Sequence, residues 1–99
     1  MLIRSQDKKT IVNMNNIDTI CAKRDEQADK GIKEHYQTSI EYFNGGEETM
    51  GTLAEYSTEE KAIKVLDMIA EHYDKVIDAR YWNNEYQENV FQMPQDSEV

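Results

Sequence analysis

A chain of 99 residues has room for one modest core and none for a cofactor domain beside a substrate domain. Hydrophobic residues make up 38% and charged residues 31%, a polar balance that still holds enough aromatic and β-branched side chains to fold. The net charge of −9 is unevenly spread, with five basic and two acidic side chains in residues 1–24 against six and eighteen in residues 25–99. That field repels nucleic acid and anionic membrane over most of the surface and favours basic partners.

At the start of the chain Leu2-Ile3, Thr10-Ile11-Val12 and Ile17 to Ala22 are short apolar or β-branched runs, separated by Asp7-Lys8-Lys9 and Asn13-Met14-Asn15-Asn16. Polar turn formers between such runs predict a meander of short strands. Met1-Leu2-Ile3-Arg4 lacks the apolar run of a signal peptide, and no stretch approaches the roughly 20 apolar residues that span a bilayer, so a cytoplasmic location is expected. The lone Cys21 forms no intrachain disulfide, and with only His35 and His72 as imidazoles neither a structural metal site nor a cofactor is expected.

Residues 24–31 are too polar to bury a face and read as a solvated loop. From Glu34 to Phe43 the chain alternates, with Tyr36, Thr38, Ile40 and Tyr42 on one side and Gln37, Ser39 and Glu41 on a wet one, which is the period of a strand. Asn44-Gly45-Gly46 supplies the backbone freedom of a tight hairpin and predicts an antiparallel return over Glu48 to Tyr56.

Ser57-Thr58-Glu59-Glu60 fits a capping box, with the Ser57 hydroxyl on the Glu60 amide and the Glu60 carboxylate on the Ser57 amide. A helix from Thr58 to Tyr81 follows, with Ala62, Ile63, Leu66, Ile69, Ala70, Tyr73, Val76 and Ile77 gathered on the face expected to lie on the sheet. Asn83-Asn84 argues against its continuation. The expected fold class is α+β, an antiparallel sheet of four or five short strands with one main amphipathic helix on one face. Residues 1–82 form the domain and residues 83–99 an aromatic, then polar, partly ordered tail.

Three blocks carry a resemblance: Ile3-Arg4-Ser5-Gln6-Asp7-Lys8-Lys9, the run from Leu53 through Tyr56-Ser57-Thr58-Glu59-Glu60 to Ile69, and Val90-Phe91-Gln92-Met93-Pro94-Gln95-Asp96. Together they resemble a family of short proteins of Gram-positive bacteria, their phages and other mobile elements, over about a third of the chain. The resemblance implies a mobile-element accessory protein, a group that includes inhibitors of host defence. It implies no catalytic residue.

Three constellations are candidates for function. Glu60, Asp67, Glu71, Asp74 and Asp78 fall on one helical stripe, where a row of carboxylates on a rigid rod can mimic a phosphate backbone and occupy a basic groove. The plain alternative is a solvated face edged by Lys64 and Lys75. Trp82, Tyr86 and Phe91 are candidate apolar anchors for a partner or for self-association, unless the tail folds back and they close the core. Arg4, Lys8 and Lys9, with Lys23 and Arg24 beside them if the strands pair in order, would suit a nucleotide, or else form a charged turn that protects an edge strand. The neighbours Glu34-His35 and Glu71-His72 point different ways and lack a nucleophile, so catalysis is not expected.

The leading expectation is a non-enzymatic phage or mobile-element accessory protein that binds and inhibits a host protein of basic surface, an anti-defence role. The alternatives are a homo-oligomer that sequesters a nucleotide signal, and a structural or regulatory factor of the element.

Overall fold

The computed structural model describes residues 1–24, 38–46, 48–81 and 90–99, with the side chains of 78–81 left aside. The element order is β1 (Leu2–Arg4), β2 (Ile11–Asn13), β3 (Thr19–Arg24), β4 (Thr38–Phe43), β5 (Gly51–Tyr56), α1 (Glu59–Tyr81) and β6 (Val90–Gln92). The class is α+β, but the strands form two sheets of three rather than one of four or five. One sheet has the order β2-β1-β6 and the other β3-β4-β5.

The early meander divides at Met14–Asn16, a 3-10 turn whose start is held by the Asn13 side chain accepting from the Asn15 amide. That turn carries the chain out of the first sheet, so β3 pairs with β4 instead of β2. Lys23 and Arg24 consequently belong to a different sheet from Arg4, and the strands do not pair in simple order. The β1–β2 hairpin closes as expected around Asp7-Lys8-Lys9. Its Asp7 carboxylate accepts from the Ser5 hydroxyl (2.5 Å) and the Lys9 amide (2.9 Å), and Lys8 takes a φ of 66°.

β6 lies parallel to β1, in the register Leu2↔Val90 and Ile3↔Phe91. Residues 90–99, assigned to the tail by the sequence reading, thus contribute a strand and, at Asp96–Glu98, a 3-10 turn. Residues 82–89, and with them Trp82 and Tyr86, lie outside the described residues, as do 25–37.

In the second sheet β4 is central, with Thr38 and Ile40 buried on one face as expected. Its other face is not fully wet, because Glu41 is also buried and accepts a hydrogen bond from the Ser39 hydroxyl at 2.8 Å. Gly45 adopts the positive φ of the Asn-Gly-Gly turn, yet the return strand begins at Gly51 rather than Glu48. Thr49 fills the difference, its hydroxyl accepting from the Gly51 amide and standing within hydrogen-bond distance of the Tyr42 and Gly51 carbonyls. Gly51 itself lies under the Tyr42 ring, where an added Cβ would come within 2.9 Å.

One core serves both sheets. Ile3, Phe91 and Met93 from the first meet Ile40, Leu53 and Tyr56 from the second, and Ala62, Val65 and Ile69 of α1 close it. Complete burial of each large aliphatic side chain is worth roughly 1.5–3 kcal/mol. Where the sheets abut, Gln6 replaces a strand residue. Its amide donates to the Leu53 carbonyl at 2.8 Å, and its side chain both accepts from the Glu55 amide (3.0 Å) and donates to the Glu55 carbonyl (3.1 Å).

Candidate partner-binding face

Helix α1 begins one residue later than the capping box predicts. Thr58 is the cap, its hydroxyl accepting from the Lys61 amide at 3.2 Å. The Ser57 amide and hydroxyl donate instead to the Asp96 carboxylate, at 2.8 and 3.0 Å. Lys61 completes the clamp through the Asp96 carbonyl at 2.9 Å. The Ser57 amide above all, opposed by some desolvation, holds the Asp96 carboxyl below its ordinary range. Burial, then the negative charges of Asp96 and Glu98, push the Tyr56 phenol well above its own, and its hydroxyl donates to the Pro94 carbonyl at 2.8 Å.

The buried face of α1 is narrower than the periodicity suggests. Ala62, Val65, Ile69 and Val76 are buried, whereas Ile63, Tyr73 and Ile77, expected on the sheet, are 47%, 43% and 41% exposed. A three-stranded sheet covers one stripe of the helix, and the sequence carries two side by side. Val65 belongs to the covered stripe and was not singled out by the pattern.

The carboxylates keep the placement that the spacing predicts. Glu60, Asp67, Glu71 and Asp74 are all exposed, and at about 100° per residue they lie nearly opposite the covered stripe. None enters an ion pair or hydrogen bond among the described residues, although Glu60 and Glu71 stand one turn before Lys64 and Lys75. Asp78 is on the same helix, its side chain outside the described residues. Phe91, a candidate anchor, is in the core, 8% exposed and edge-on to His72 with ring centres 5.5 Å apart.

Arg4, Lys8 and Lys9 are exposed, and none of the three lines the hollow beside their turn. That hollow, about 280 Å³, is lined by Gln6, Thr52, Leu53 and Ala54 with Asp7 and Glu55 as its charged groups. That lining disfavours a phosphate. A second hollow, about 330 Å³, is apolar and was missed by the sequence reading. Leu66, Ile69, Ala70 and Tyr73 of α1 face Met14 and Ile20 across it. Its signal in the sequence was the surplus of apolar residues on α1.

Cys21 is a half-buried free thiol on β3. The described residues hold no group of three side chains able to ligate a metal and no helix long and apolar enough to cross a membrane. Comparison with family models, curated proteins and solved structures gives no match.

Proposed function

We propose that the chain is a non-enzymatic binding protein whose contact face is the acidic side of α1 and whose partner is a protein with a basic surface. The carrying observation is the row Glu60, Asp67, Glu71 and Asp74, exposed on one side of a helix and without an ion pair among the described residues. From Glu60 to Asp74 the row is about 21 Å long at 1.5 Å per residue, enough to lie along a groove that otherwise takes a nucleic-acid backbone. A helix docked on a core holds that spacing at little entropic cost, which favours occupancy of such a groove. In the mobile-element setting implied by the resemblance, the protein acts by blocking a host defence factor of this kind. Catalysis has no place in this reading, and a nucleotide at Arg4, Lys8 and Lys9 gains no support from the acidic hollow beside them.

The test is affinity capture from host lysate with the parent and with a variant carrying Asp67→Asn, Glu71→Gln and Asp74→Asn. Surface changes of this kind shift stability by no more than about 0.5 kcal/mol. The parent is expected to retain a partner at stoichiometric level, with an association rate that falls steeply as salt rises, and the variant to lose at least about tenfold in affinity. A partner held equally by both proteins sinks the proposal.

A further inference from the structure

The uncovered stripe on α1 has the geometry of a helix seam. Ile63, Leu66, Ala70, Tyr73 and Ile77 follow one another at steps of three and four, rotated about 100° from the covered stripe and lying between it and the carboxylates. Along its middle the stripe borders an open, shallow groove of about 330 Å³, with Met14 and Ile20 opposite Leu66 and Tyr73. Exposed apolar side chains arranged in this way lose free energy to water unless something covers them.

The rim restricts what that can be. Glu60, Asp67 and Asp74 recur every seven residues along the outer border of the stripe, all exposed and without an ion pair among the described residues. A second copy laid antiparallel on the same stripe would bring this row against itself, with like charges facing across a partly dry contact. Anionic lipid and nucleic acid meet the same repulsion. An amphipathic helix with aliphatic side chains at steps of three and four, and lysine or arginine beside them, satisfies both floor and rim. We infer that the groove between α1 and the Met14 to Ile20 segment receives a basic amphipathic helix of the partner protein. The inference rests on the acidic-face reading and adds to it an apolar anchor, with Tyr73 as the aromatic in its lining.

The probe is a labelled synthetic helix of about five turns with leucines at those steps flanked by lysines, set against a copy in which every lysine is glutamate. Fluorescence anisotropy with the full chain is expected to show saturable binding of the lysine peptide and none of the glutamate one. Replacing Ile63, Tyr73 and Ile77 together by Ser should weaken binding at least about tenfold, with the melting temperature little changed because these side chains are at the surface. If that variant misfolds, amide shifts in the parent decide: peptide-induced shifts should concentrate at Ile20, Leu66 and Tyr73, and shifts confined elsewhere overturn the inference. Binding that survives the serine variant but is lost on neutralising Asp67 and Asp74 overturns the groove and leaves the acidic face standing. Binding that survives both overturns both. No saturable binding, equal binding of the glutamate peptide, or a parent dimer that the serine changes convert to monomer each overturns the inference.

Discussion

Gln6 is a polar residue in a polar turn, and nothing in its neighbourhood along the chain distinguishes it. In the fold its carboxamide behaves as a peptide group, exchanging two hydrogen bonds with the Glu55 backbone and giving a third to the Pro94 carbonyl at 3.2 Å. Its own carbonyl accepts from the Gln95 side chain at 2.7 Å. Because each such bond is worth about 1 kcal/mol net, and water can replace the side chain at the exposed Glu55 groups but less readily at the part-buried Pro94 carbonyl, Gln6→Ala should cost about 1–2 kcal/mol in urea denaturation. Gln6→Glu should cost more at neutral pH, since a carboxylate has no N–H to offer the Glu55 and Pro94 carbonyls. A Glu variant as stable as the parent would show that the side chain does not join the sheets in solution.

At the scale of the element, α1 offers a sharp contrast between its two apolar stripes. Ile69→Ala should cost about 2–4 kcal/mol and Val65→Asp should abolish cooperative unfolding, because a cavity or an unpaired carboxylate would be left in the core. Ile63→Ala, half exposed already, should cost less than about 1 kcal/mol. Thermal melts of the three variants check the assignment, and equal losses for Ile63 and Ile69 would contradict it. The extent of α1, the β4–β5 hairpin at Gly45 and the first three strands were legible because local spacing and turn chemistry set them. Which stripe faces inward was not, since that depends on how wide the covering sheet is. The cap moved from Ser57 to Thr58 for a similar reason: Asp96, distant in sequence, claims the Ser57 amide. The acidic row was readable from helical period alone, whereas the groove beside it needs Met14 and Ile20, which reach α1 only through the tertiary fold.

For the molecule as a whole, the decisive partnership is that of β1 with β6, three residues each, too short to show a period of their own. Phe91 and Met93 enter the common core, and the Pro94 and Asp96 backbone and side-chain groups tie Gln6, Tyr56, Ser57 and Lys61. A chain shortened to end at Asn89 should therefore lose its cooperative transition in circular dichroism, and one that melts like the parent would place residues 90–99 outside the folding unit. The same partnership sets a timetable for biosynthesis. Leu2 and Val90 stand opposite each other in the parallel ladder, 90 − 2 = 88 positions apart along the chain, and ribosomes add roughly 5–20 residues per second. For roughly 4–18 s of translation the backbone edge of β1 that β6 will fill stays unpaired, so the emerging chain depends during that interval on chaperones or on dilution to escape edge-to-edge clumping with its neighbours on the polysome.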